Sequence, residues 1–193
     1  MEYNRAGITD RLSMKRFARE IAITVVLALI IFFVARTTIQ TYEVFMTSME
    51  PNFTEGDRVV VSKAVYWFGE PQRGDVIIFE EPNGSEEDFI KRVIGTPGDT
   101  VEIKNGAVFV NGTILDEPYI MAPPAYTMAA ITVPENSYFV LGDNRNFSND
   151  SHNGWFVDAD KIHGKAWLIT WPPDSWEVVP SYKLSEQITE TAS

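Results

Sequence analysis

Thr100-Val101-Glu102-Ile103-Lys104-Asn105-Gly106-Ala107-Val108-Phe109-Val110 sets two short runs rich in β-branched residues around an Asn-Gly pair. An Asn-Gly pair between such runs is a strong signal for a tight β-hairpin. The same texture recurs on both sides. Asp57 to Lys63, Asp75 to Phe79, Asp88 to Ile94, Ala130 to Val133, Ser137 to Leu141 and Lys165 to Trp171 all read as strands. Arg73-Gly74, Pro82-Asn83-Gly84 and Thr96-Pro97-Gly98-Asp99 punctuate them as turns. No segment after residue 40 keeps a helical period over three turns. The fold class is therefore mainly β, a folded antiparallel sheet or partly open barrel.

One stretch breaks the pattern. Ile21 to Ala35 is 15 residues without a charge, bounded by Glu20 and Arg36. A membrane span needs roughly 20 residues. Phe17, Ala18, Thr37, Thr38 and Ile39 extend the run, with Arg19 and Arg36 reaching the headgroups. A basic segment before an apolar one is also the signature of a secretory signal. However, Arg36-Thr37-Thr38-Ile39-Gln40 is too polar and bulky for a small-x-small cleavage site. The reading is a retained anchor. Arg5, Arg11, Lys15, Arg16 and Arg19 outnumber Glu2, Asp10 and Glu20 before it, which keeps the N-terminus cytoplasmic and exports the rest.

The expected divisions are a cytoplasmic basic N-terminus at 1–19, an anchor at 20–38, an extracytoplasmic β-domain at 39–172 and a polar, weakly packed tail at 173–193. Within the domain, 105–135 forms an excursion or small subdomain. About 155 residues beyond the apolar run suffice for one hydrophobic core.

The composition narrows the chemistry. The chain has 193 residues, a net charge of -11, no cysteine and two histidines. Thiol catalysis and disulfides are excluded, and a histidine-rich zinc centre is disfavoured. An acidic globular part argues against nucleic acid as a partner. No organic cofactor or metal is implied.

Two stretches carry the remaining chemistry. Phe45-Met46-Thr47-Ser48-Met49-Glu50-Pro51-Asn52-Phe53 holds a serine between methionines, and Phe89-Ile90-Lys91-Arg92-Val93-Ile94-Gly95 sets a lysine in an apolar run. A nucleophilic serine needs a base. A free lysine, with a pKa of about 10.4, is a poor one at neutral pH. Burial disfavours the ammonium, and reaching about 8 costs about 3 kcal/mol. Taken singly, Ser48 could be a turn serine, Lys91 a strand-edge lysine, and Val44, Met46 and Met49 ordinary packing.

The whole pattern resembles the bacterial type I signal peptidases, Ser/Lys serine endopeptidases. Over roughly residues 20–172, Ser48-Met49-Glu50-Pro51 looks like the nucleophile box and Gly56-Asp57-Arg58-Val59 like the next. Arg73-Gly74-Asp75-Val76 and Lys91 to Asp99 resemble the box bearing the base. Gly142-Asp143-Asn144-Arg145, followed by Ser148, Asp150 and Ser151, resembles the last. Leu115-Asp116-Glu117-Pro118-Tyr119 and Gly164-Lys165-Ala166 also look familial.

The resemblance implies a signal-peptidase-like β-domain behind a single transmembrane helix in the bacterial plasma membrane. It implies that Ser48 attacks the scissile carbonyl and Lys91 is the general base, with the Ser48 N–H in the oxyanion hole. Ser148 would orient the lysine, and Asp143, Arg145, Arg92 and Asp150 would shape the site. Preprotein signal peptides would bind extended near Val44, Met46, Met49 and Ile90, with small residues (Ala-x-Ala) before the cut. The bilayer and a secretion translocon are the implied partners.

The chain also departs from the family pattern. Met46 stands where relatives carry a serine or glycine, and Thr47 donates to the oxyanion only if its hydroxyl points inward. Asn146 and Phe147 replace an Asp-Asn pair. His152 stands where an arginine pairs with the aspartate, and a neutral histidine would weaken that pair. The alternatives are a specialised Ser/Lys protease for surface or pilin-like proteins, and a catalytically weak paralogue acting as a binding module.

Overall fold

The structure, a computed structural model, describes residues 6–82, 84 and 87–190. Glu2 and Arg5 of the basic segment, Asn83 of one turn signal and residues 191–193 of the tail lie outside it, as do the side chains of Asp10, Arg11 and Lys15. The chain divides into two units, the second starting at Ile39.

The first unit is one helix, α1 (Ala6–Thr38), longer than the apolar run alone. Its stretch Arg16–Thr38 has 23 residues, and the most apolar 18-residue window within it has a mean hydropathy of 2.4 with none of it buried against protein. At 1.5 Å per residue it is about 35 Å long, enough to cross a bilayer core of about 30 Å.

The second unit is built of antiparallel strands. β1 (Ile39–Glu43), β2 (Arg58–Ser62), β3 (Val76–Glu80), β4 (Asp88–Gly95), β5 (Thr100–Lys104) and β6 (Ala107–Val110) come first. β7 (Thr113–Ile114), β8 (Met128–Thr132), β9 (Ser137–Leu141), β10 (Val157–Asp158), β11 (Ile162–Trp171) and β12 (Glu177–Val178) follow. The large sheet runs β1-β2-β11-β3-β4-β9-β10, with β12 also on β11, and the small one runs β7-β6-β5-β8. Among the described residues β1 and β10 each have a single partner, so the large sheet is folded but not closed into a barrel.

The Asn105-Gly106 hairpin is present, with Val101 opposite Val110 and Lys104 opposite Ala107. Asn105 has φ 53 and Gly106 φ 74, the left-handed conformations that a two-residue turn of this kind demands. Within the expected excursion, β6, β7 and β8 pair in the small sheet, and 115–127 runs between them without a strand.

Alternation along β3 supplies two cores from one strand. Val76 and Ile78 enter a cluster with Val44, Met49, Phe53, Val59 and Val61. Ile77 and Phe79 enter another with Phe89, Val93, Tyr138 and Val140. The small sheet packs a third cluster through Val101, Ile103, Val108 and Val110 against Ile94, Phe139 and Leu141.

The tail differs from expectation. A second helix, α2 (Leu184–Glu190), is the last described element. Leu184 is fully buried in the third cluster and Val179 is buried in the first. Gln187 accepts from the Asp116 amide at 2.8 Å. The polar composition of 173–193 concealed these apolar anchors.

Candidate active site

Ser48 sits in a turn rather than on a strand. The amides of Glu50, Asn52 and Phe53 donate back to the carbonyls of Thr47, Met49 and Met49. This turn folds Met49 inward, where it is fully buried in the core, so the side chain expected to touch substrate packs the fold instead. Lys91 lies midway along β4 and is 1% exposed.

The two side chains meet. Lys91 Nζ is 2.7 Å from Ser48 Oγ and donates to the Ile90 carbonyl at 2.9 Å. Burial lowers the Lys91 ammonium from 10.5 to about 8, against the pull of the Asp150 and Asp143 charges. Only the protonated amine carries charge, so a dry site favours the neutral base. The lysine is thus prepared to take a proton from a hydroxyl at hydrogen-bond distance.

Ser148 does not make the orienting bond expected of it. Its Oγ is buried with no hydrogen-bond partner among the described residues, and the second Lys91 bond goes to Ile90. Ser148 nevertheless packs by the nucleophile turn. A Cβ on Gly142 would collide with both the Ser148 side chain and the Ser48 carbonyl, so only glycine allows this approach.

The loop after β9 clamps the turn. The Asn144 amide donates to the Ser48 carbonyl at 3.0 Å, and its side chain donates to the Thr47 carbonyl at 3.1 Å. Asn52 donates to Asp143 Oδ2 and to the Tyr119 carbonyl, both at 2.8 Å. Arg92 grips Asp143 with two bonds, Nε at 2.8 Å and Nη2 at 2.7 Å, and both side chains are fully buried. Tyr119 and Tyr182 lie against the Arg92 guanidinium, 4.2 and 5.1 Å from ring centroids. A buried ion pair is tolerated when its remaining donors are satisfied; here Arg92 Nη1 bonds the Gly74 carbonyl at 2.9 Å.

Arg145 belongs to a separate pair. It makes a two-bonded contact with Glu117 at 2.8 and 2.6 Å. Asp150 Oδ2 accepts the Gly142 amide at 2.9 Å, and its Oδ1 faces His152 Nδ1 at 2.5 Å. Asp99 is more than a turn residue, since Arg73, Thr96 and Asn111 all donate to it. Asn52, Asn144 and Glu117 were not assigned site roles from the sequence, although all three lie inside motifs quoted above, where neighbouring positions drew attention. His152 stands opposite Asp150, where its place in the motif puts it.

Beside the dyad runs a groove of about 690 Å³, lined by residues 41–46 on one side, by Glu87, Asp88 and Ile90 on the other, and by Ile78. Val44 is itself buried, while Met46 and Phe45 are exposed. Backbone edges are open on both walls. β9 pairs with β4 only from Arg92 onward, leaving Asp88–Lys91 with one edge unpaired among the described residues. The amides of Phe45 and Met46 meet no backbone carbonyl among the described residues. Thr47 is exposed.

Comparison with known proteins agrees with this geometry. The family model for signal peptidase, peptidase S26, matches residues 16–171. A probable signal peptidase I-2 from Synechocystis sp. is 44% identical over 131 residues, 65% of this chain and 60% of that protein. A probable signal peptidase I-1 from the same organism is 44% identical over 142 residues, 70% of this chain and 72% of that protein. The signal peptidase I S of Bacillus subtilis is 38% identical over 178 residues, 86% of this chain and 94% of that protein. With a membrane-length helix, an antiparallel β-unit and a family match over most of its length, the chain belongs to the signal peptidase family, peptidase S26.

Proposed function

We propose that the chain is a membrane-bound serine endopeptidase that removes N-terminal signal peptides from exported preproteins, cutting after small residues. It is a single-pass protein of the bacterial plasma membrane, N-terminus inside and catalytic unit outside. The observation that carries the reading is the 2.7 Å contact between the Lys91 amine and the Ser48 hydroxyl.

Neutral Lys91 takes the hydroxyl proton as Ser48 Oγ attacks the scissile carbonyl. The carbonyl oxygen becomes an anion near the Ser48 N–H; a donor there is typically worth ~3 kcal/mol. The Lys91 ammonium then gives its proton to the leaving amine, and water completes hydrolysis of the acyl-enzyme by the reverse transfers. The substrate lies extended in the groove, adding its backbone to the free edges at 44–46 and 88–91. Met46 and Ile90 wall the positions next to the cut and favour small side chains there. Release of preproteins by the secretion translocon supplies the substrate.

The test is cleavage of a membrane-targeted preprotein bearing Ala-x-Ala, with the new N-terminus sequenced. A single cut after the second alanine, absent in Ser48→Ala and in Lys91→Met, supports the reading. An intact preprotein after incubation with folded wild type overturns it.

A further inference from the structure

Three carboxylates surround the dyad loop, and two of them have permanent counter-charges. Asp143 is matched by Arg92 and Glu117 by Arg145. Asp150 is fully buried, and among the described residues its ion-pair partner is His152. Asp150 Oδ1 accepts both the His152 amide, at 3.2 Å, and the ring Nδ1–H, at 2.5 Å. Facing a carboxylate, Nδ1 keeps its proton, so Nε2 is the nitrogen that gains or loses charge. The ring lies against Tyr126, centroids 4.2 Å apart and planes at 22°, with 18% of the side chain exposed.

The charges around His152 come from several elements. Asp150 is on its own turn. Tyr126, from the segment before β8, covers its face, and the charges of Arg145 and Glu117 also act on Tyr126. Lys91 of β4 feels Asp150 and Asp143. The Arg145–Glu117 and Arg92–Asp143 pairs are each internally balanced. The unbalanced negative charge near the base is therefore that of Asp150, and the charge on His152 decides how much of it remains.

We propose that His152 is a positioning residue: through Asp150 it fixes the Gly142 amide beside the nucleophile, and its charge sets how firmly Asp150 holds a proton on Lys91. This rests on the Ser48–Lys91 assignment above. When His152 is neutral, Asp150 favours the ammonium. When His152 is charged, Asp150 is spoken for and the amine loses its proton more readily. Two cations competing for one carboxylate oppose each other.

The test compares pH profiles of kcat/KM on one signal-peptide substrate for wild type, His152→Arg, His152→Lys and the neutral His152→Gln. The cationic variants should reach half-maximal kcat/KM about half a pH unit or more below His152→Gln. Coinciding profiles for the cationic and neutral variants would overturn the proposal, because a purely structural role changes amplitude without moving the midpoint. Cleavage surviving Lys91→Met in the same assay would instead strike the dyad assignment, and this proposal with it. Nuclear magnetic resonance of the unmodified chain gives an answer that needs no folded His152 variant. The His152 imidazole signals should show an inflection where Lys91 titrates, absent in Lys91→Met; signals that track no Lys91 event would overturn the coupling.

Discussion

The Ser48 carbonyl accepts the Asn144 amide across 3.0 Å, so the nucleophile's own peptide group is pinned to the loop that follows β9. Gly142 opens that loop, and its hydrogen leaves no room for a methyl group between the Ser48 carbonyl and the Ser148 side chain. Gly142→Ala should push the turn aside and lower kcat about 100-fold, the scale of a 1 Å misplacement, with a smaller change in KM. Steady-state kinetics on a signal-peptide substrate checks this.

Leu184 is fully buried among Ile94, Val101, Phe139 and Leu141, although it lies in a polar tail. Leu184→Ala should cost about 2–5 kcal/mol, measured by urea unfolding of the full chain in detergent. A loss below about 0.5 kcal/mol, the range of an ordinary surface change, would mean the tail does not dock.

The lowered Lys91 value makes a stability prediction with a definite sign. Between about 8 and 10.5 the unfolded lysine holds a proton that the folded one has released. The unfolded state then binds more protons, so stability rises with pH across that window. Below it, keeping the ammonium buried costs about 3 kcal/mol. Lys91→Met should therefore unfold at higher urea than wild type at pH 7, and the gap should narrow by pH 10.5. A gap independent of pH would contradict the buried lysine.

Some of this was legible in the sequence for physical reasons. Asn105-Gly106 announced its hairpin because few residue pairs accept two positive φ angles. β3 and β4 announced themselves by β-branched content. β1 did not, since Ile39–Glu43 is mostly exposed and follows the apolar run directly in sequence; β7, β10 and β12 are two residues each. Ser48 and Lys91 are 43 positions apart, and no periodicity predicts their meeting; the ordered motifs did. Met49, placed near the substrate by resemblance alone, is packed in the core because the chain turns at Ser48, which is the ordinary packing its apolar character also allowed. The Asp150–His152 contact is local, within one turn, and its position was legible from the motif; the Arg145–Glu117 pair joins residues 28 positions apart and depends on how two loops fold over one another. Spacing alone does not encode that.

The most direct measurement is the pH dependence of kcat/KM for wild type, which reports the free enzyme's essential groups. Activity should rise with loss of protons and level off above a midpoint near 8, the value burial gives Lys91. Ser48→Ala and Lys91→Met should show no such curve at any pH. A midpoint near 6.5, where an ordinary histidine titrates, or a full profile in Lys91→Met, would contradict the Ser48–Lys91 mechanism.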